Sequence, residues 1–173
     1  MNRRNVLLGL IGATTAMSLF GKKSATAAVP AAAPAIGPLN KSKDEWKKLL
    51  EPKRYAILFD EDTERAGSSP LNKEHGEGTF ACAACNYPLF DSKMKFDSGT
   101  GWPSFFDVMP GHIGTSKDYK FFSERTEYHC VRCHGHQGHV FPDGPAPTGL
   151  RYCNNGLALQ FVPKGTELPA LRT

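Results

Sequence analysis

Two C-x-x-C pairs, Cys82/Cys85 and Cys130/Cys133, constrain this 173-residue chain more than anything else in it. Each pair suits a tight turn that aims both sulfurs at a common centre. Two such turns supply the four thiolates of a closed tetrahedral zinc site. Segments far apart in sequence must then meet, and the metal adds folding free energy where they do. Two rivals exist. Two disulfides would suit an oxidising compartment, and Cys130-Val131-Arg132-Cys133-His134 spells the C-x-x-C-H pattern of a c-type haem. The haem reading leaves Cys82 and Cys85 without a use. The fifth cysteine, Cys153, stands apart in Arg151-Tyr152-Cys153-Asn154-Asn155 and is free for chemistry.

Residues 1–27 are expected to be an export signal. Asn2-Arg3-Arg4-Asn5 precedes an uncharged stretch from Val6 to Phe20, and Ala25-Thr26-Ala27 offers a small-residue cleavage site. The apolar run is roughly fifteen residues, too short for a membrane span, so no stable span is expected after cleavage. Paired arginines before it, with Lys22 and Lys23 after it, resemble a twin-arginine signal; an ordinary secretory signal is the alternative. Export in a folded state would let metal load before oxidants are met, which favours zinc over disulfides. The product is expected in a periplasm, with a thylakoid lumen as the other compatible compartment. These four basic residues account for the whole formal charge of +4, and the remainder is neutral. No electrostatic case for nucleic acid survives. Residues 28–41, mostly Ala and Pro, form an expected tether. Residues 42–166 make one domain, 167–173 a C-terminal tail, and a monomer is expected.

Within the domain, Ser42-Lys43-Asp44-Glu45 is a capping box. It starts a helix whose Trp46, Leu49 and Leu50 share a face, with Pro52 as its limit. A second helix is expected over Arg54 to Glu64, with Tyr55, Leu58 and Phe59 inward and Asp60-Glu61-Asp62-Glu64 on a solvated face. Beyond Gly67, short apolar runs broken by Gly, Pro and Asn predict antiparallel strands. Candidates are Gly78–Ala81, Lys95–Ser98, Tyr119–Ser123, Arg125–Cys130, His139–Phe141 and Leu157–Val162. The expected class is mainly β with short N-terminal helices. His75, His112, His129 and His134 are expected as surface or turn residues, and Phe105-Phe106 and Phe121-Phe122 as core or pocket margin.

Around Cys153 the residue types point to thiol chemistry. Arg151, on the same face of a strand, can favour the reactive thiolate. Asn155 offers an amide, and His136 and His139 can move a proton near neutral pH. A non-catalytic zinc-ribbon binding module is the competing reading from another class.

Three runs then carry a family resemblance: Phe96-Asp97-Ser98-Gly99-Thr100-Gly101-Trp102-Pro103-Ser104-Phe105, Gly135 to Gly144 through His136-Gln137-Gly138-His139-Val140-Phe141, and Arg151 to Gly156. With Thr63-Glu64, the two cysteine pairs and Tyr87-Pro88-Leu89-Phe90-Asp91, they resemble the B-type methionine-(R)-sulfoxide reductases from about Lys43 to Lys164. The resemblance implies a β-tent of two antiparallel sheets, with zinc on Cys82, Cys85, Cys130 and Cys133. It implies that Cys153 attacks the sulfoxide sulfur and becomes a sulfenic acid, recycled by a thiol. His139, His136 and Asn155 would hold and protonate the oxygen, while Trp102 and Phe141 receive the methyl group. Oxidised proteins or peptides would be substrates and a thioredoxin-like protein the reductant. Two departures stand out. Thr100 occupies the place where many relatives carry a resolving cysteine, which implies direct reduction by an external thiol. Leu157-Ala158 stands where smaller residues are common.

Overall fold

The computed structural model describes residues 37–119 and 124–173. The expected export signal and most of the tether lie outside the described residues, as do residues 120–123 of the expected strand Tyr119–Ser123. No helix among the described residues is long and apolar enough to cross a membrane.

Helix α1 (Lys43–Leu49) begins at the capping box: Ser42 Oγ accepts from the Glu45 N–H, and Glu45 accepts from the Ser42 N–H at 2.8 Å. Trp46 and Leu50 are buried, but Leu49 faces solvent. Helix α2 (Pro52–Phe59) is shorter than expected at its C-terminal end and starts earlier. Pro52 occupies the first turn, where its missing N–H costs nothing, and Glu51 caps it. The acidic run Asp60–Glu64 is therefore not a helix face, and Glu64 is buried.

Nine strands follow among the described residues: β1 (Gly78–Cys82), β2 (Pro88–Asp91), β3 (Lys95–Phe96), β4 (Ser104–Phe105), β5 (Ile113–Asp118), β6 (Arg125–Cys130), β7 (His136–Phe141), β8 (Arg151–Asn154) and β9 (Leu159–Pro163). They form two antiparallel sheets, β2-β1-β9 and β3-β4-β8-β7-β6-β5. The expected strand Leu157–Val162 opens instead with a 3₁₀ turn at Gly156–Ala158. An aromatic seam joins the sheets. Phe80 (β1) and Phe90 (β2) meet Phe105 (β4) with ring centroids 5.0 and 4.0 Å apart, and Tyr128 (β6) and Tyr152 (β8) extend it. Aromatic rings bury large apolar areas, so this seam dominates the core.

The two sheets meet again at the cysteines. Cys82 ends β1 and Cys130 ends β6, and all four knuckle cysteines are buried. Segments before α1 and after β9 pack on these knuckles: the Leu39 N–H donates to the Arg132 carbonyl, and the Arg172 N–H to the Cys85 carbonyl. His112, expected as a surface or turn residue, closes a turn, its N–H donating to the Met109 carbonyl. It is buried, stacked on Tyr87, with Nδ1 2.7 Å from the Pro88 carbonyl oxygen.

Candidate active site

Cys82, Cys85, Cys130 and Cys133 place their sulfurs within 4.8 Å of one another. The pairs Cys82–Cys133 and Cys85–Cys130 are 3.6 Å apart. A regular tetrahedron with Zn–S bonds of about 2.3 Å sets its sulfurs near 3.8 Å, so the donor set and spacing fit zinc. A disulfide needs about 2.05 Å, and all five cysteines are free thiols. The Cys130 and Cys133 sulfurs turn toward the Cys82/Cys85 pair, an arrangement of metal ligands rather than of two thioether links to a haem. Gln137 Nε2 lies 3.5 Å from Cys82 Sγ, in reach to donate to it.

Cys153 sits on β8 between Ser104 of β4 and His139 of β7. Gly138 permits this close pairing, because a Cβ there would run into the Cys153 carbonyl. The half-buried thiol opens onto a cavity of about 160 Å³ bounded by Thr63, Trp102, His139, Phe141 and Asn155, with Arg125 at its margin. Burial pushes the Cys153 thiol up; Arg151 and the Thr100 hydroxyl pull it down without offsetting that. Arg151 thus acts in the expected direction, but burial wins, and the resting form is the thiol. One reason is that Arg151 is committed elsewhere: it makes a bidentate pair with Asp143, both bonds 2.8 Å, and lies 4.4 Å over the Phe141 ring. Thr100 is linked through Ser98 Oγ (2.8 Å) to Ser104 Oγ (2.7 Å), a row of hydroxyls beside the sulfur.

Trp102 is fixed by its indole N–H, which donates to the Glu64 carbonyl at 3.1 Å. Asn155 is largely engaged in holding the fold. Its Oδ1 accepts the Glu64 N–H (3.1 Å) and its Nδ2 donates to the Gln137 carbonyl (3.2 Å), which leaves one amide hydrogen. Glu64 completes the tie, its carboxylate accepting the Gly156 and Leu157 N–H groups.

His139 lines the cavity, and its Nε2 is 2.7 Å from Asp118 Oδ2, which also accepts from Arg125 at 2.6 Å. Burial lowers the His139 pKa, and Asp118 only partly restores it. His136 is not among the residues lining this cavity. It is buried behind His139, ring centroids 5.5 Å apart, with Nδ1 2.8 Å from Glu127 Oε1. Residues three apart on a regular strand face opposite sides. An irregularity in the β6–β7 register beside His136 turns both rings the same way. Burial alone would raise the Glu127 carboxyl, but hydrogen bonds from His129, His136 and Ser116 outweigh it and bring it to about 2. His129 is therefore tied to this carboxylate at 3.0 Å rather than being a plain surface residue.

Glu64, Asp118, Arg125 and Glu127 were not foreseen as part of the site. The alternation Arg125-x-Glu127-x-His129 was the available signal, since it lays three polar side chains on one face of a strand.

Fold and site define a small β protein stapled by a four-cysteine cluster, with a lone thiol facing a histidine across its larger sheet. The chain belongs to the SelR domain family, whose model matches residues 50–163. Among similar curated proteins is "Peptide methionine sulfoxide reductase MsrB" of Bradyrhizobium diazoefficiens, 48% identical over 125 residues, covering 72% of this chain and 90% of the relative. Proteins of the same name from Leptospira interrogans (50% over 124 residues; 71% and 95%) and Methanosarcina barkeri (48% over 124 residues; 71% and 87%) are similar to the same extent.

Proposed function

We propose that this chain reduces the R epimer of methionine sulfoxide in oxidised proteins, with Cys153 as nucleophile and zinc as a structural ion on Cys82, Cys85, Cys130 and Cys133. The observation that carries this reading is the Cys153 thiol at a small cavity whose lining brings the rings of Trp102 and Phe141 together with His139 and Asn155. An apolar wall suits the methyl group and a hydrogen-bonding wall the sulfoxide oxygen. Methyl and oxygen exchange places between the epimers, so such a pocket selects one.

Attack of the Cys153 sulfur on the sulfoxide sulfur is a two-electron exchange. The substrate S–O bond breaks, a Cys153 S–O bond forms, and methionine leaves. The substrate sulfur is reduced, the cysteine sulfur is oxidised to a sulfenic acid, and the proton lost by the thiol ends on the transferred oxygen. The Asp118 carboxylate only accepts, so His139 carries hydrogen on Nε2 and offers Nδ1 to relay that proton. His136, held by Glu127, supports the His139 ring. Bound zinc supplies no step; it ties β1 to β6. Two external thiols, from a thioredoxin-like protein, then return Cys153 to its thiol, releasing water and a disulfide.

Residues 1–27 fit an export signal and residues 28–41 a tether, which supports repair of oxidised proteins outside the cytoplasm. The test is turnover of separated R and S epimers of N-acetylmethionine sulfoxide with a small thiol reductant. Reduction of R alone, lost in Cys153→Ser, is expected. Absence of turnover by folded, zinc-loaded protein overturns the reading.

A further inference from the structure

Beside the sulfoxide cavity lies a second, larger hollow of about 870 Å³. Thr63 lines both hollows, and Asn155 of the first is followed in sequence by Gly156 and Leu157 of the second. Its walls are the half-buried side chains of Leu71, Leu157 and Phe161 over a floor of Ile57, and the exposed Ser68 stands on its rim. Its cations, Lys53, Arg54 and Arg65, are matched in number by Asp62, Glu64 and Glu74, so the groove has no net preference for charge.

From this continuity we infer that the groove receives the residues flanking the sulfoxide in a polypeptide substrate, and that it favours apolar ones. The inference rests on the reductase reading and extends it to substrate sequence. A cavity of about 160 Å³ takes in the oxidised side chain and little more. The backbone that carries that side chain must leave at the rim, and on the Thr63 side it meets apolar walls. A neighbouring leucine buries surface there, whereas an isosteric asparagine loses hydration without finding a partner. Leu157, without a part in the chemistry, supplies one of those walls.

The test uses the full chain and three substrates: N-acetyl-R-methionine sulfoxide, and two blocked five-residue peptides with R-methionine sulfoxide at the centre, flanked on both sides by leucine or by asparagine. The leucine peptide is expected to exceed the asparagine peptide in kcat/KM by about tenfold, the scale of apolar discrimination in a pocket. Leu71→Asn, which makes one wall polar, and Ser68→Trp, which fills the groove from an exposed position, should each lower the ratio of the leucine peptide to the N-acetyl substrate by a similar factor. The ratio cancels the concentration of active enzyme, so partial unfolding does not imitate the effect. Equal rates for the two peptides in the unaltered protein, or ratios unchanged in both variants, overturn the groove. Folded protein that turns over none of the three overturns the reductase reading, and the groove's occupant with it.

Discussion

Glu64 links the loop after α2 to three parts of the site, and its replacement measures how firmly that site is held. The buried carboxylate accepts the N–H groups of Gly156 and Leu157, its own N–H donates to Asn155, and its carbonyl accepts from Trp102. Glu64→Ala strips a buried donor (Gly156 N–H) and a half-buried one (Leu157 N–H) of their acceptor. Each unpaired group costs about 1–3 kcal/mol, so the loss should be about 2–6 kcal/mol, a large part of the roughly 5–15 kcal/mol that holds a domain together. Glu64→Gln keeps one carbonyl oxygen and turns an amide NH₂ toward the other donor, which should cost about half as much. Urea denaturation followed by tryptophan fluorescence reads both, since Trp46 lies in the core. Burial raises the Glu64 pKa above 4.5, and the two hydrogen bonds lower it less. The ionised form is thus the one the fold disfavours. The native protein should therefore gain on Glu64→Gln as pH falls through the folded pKa toward 4.5. Because the same segment places Trp102 and Asn155, kcat/KM should fall on the order of 100-fold, as for a 1 Å misplacement of a positioned group. A Glu64→Ala protein within about 0.5 kcal/mol of the native one, the range of an ordinary surface change, would refute the reasoning.

Glu127→Gln should destabilise by at most about 3 kcal/mol at pH 7, from a carboxyl displaced from 4.5 to about 2 in the fold. That contribution is present above 4.5 and is lost as pH falls toward 2, so the native-minus-variant difference from urea melts should shrink across that window. Alkylation of Cys153 by iodoacetamide should have its midpoint above the ordinary thiol range. Arg151→Gln should move it up and Asp143→Asn down, because Arg151 lowers and Asp143 raises the thiol pKa. Metal analysis should find one zinc per chain. Cys130→Ser should lose it together with stability comparable to that of the whole domain, visible as loss of a cooperative thermal transition.

The legible parts of this fold were those written in local chemistry. The capping box at Ser42 and the strand Arg125–Cys130 are short-range signals, and the cysteines declare themselves by type and spacing. Strand β5 is not legible because Ile113-Gly114-Thr115-Ser116-Lys117-Asp118 lies at a sheet edge with no residue fully buried, so it needs no apolar alternation. Strand β4 has two residues, too few for any period to show. Pro52 reads as a stop for α1 and is equally the start of α2, since a proline fits a first turn as well as it ends a preceding helix. The carboxylates behind the histidines were out of reach for another reason. Asp118 meets His139, and Glu127 meets His136, only through the β5–β6–β7 order and its irregular register, and pairing of strands is not encoded at either residue alone.

Burial of Cys153 has a chemical consequence under the proposed activity. A thiolate permanently formed would be open to any oxidant, and oxidation beyond the sulfenic stage is irreversible for an ordinary cysteine. A thiol held neutral in a half-buried position resists that fate, and it still carries the proton that the transferred oxygen requires. Reactivity is then confined to a substrate that fills the cavity and brings its oxygen to the histidine side. After the exchange, the sulfenic acid lies beside the Thr100 hydroxyl, which can hydrogen-bond to it but cannot form a disulfide. The other four sulfurs are buried in their own cluster where β1 and β6 end. The reducing thiol must therefore enter by the opening through which methionine left. Product release precedes reduction on this geometry, so methionine at high concentration should slow the recycling step as well as compete with the sulfoxide in the attack. Stopped-flow measurement of the two half-reactions separates them, and inhibition of the first alone would contradict a shared opening.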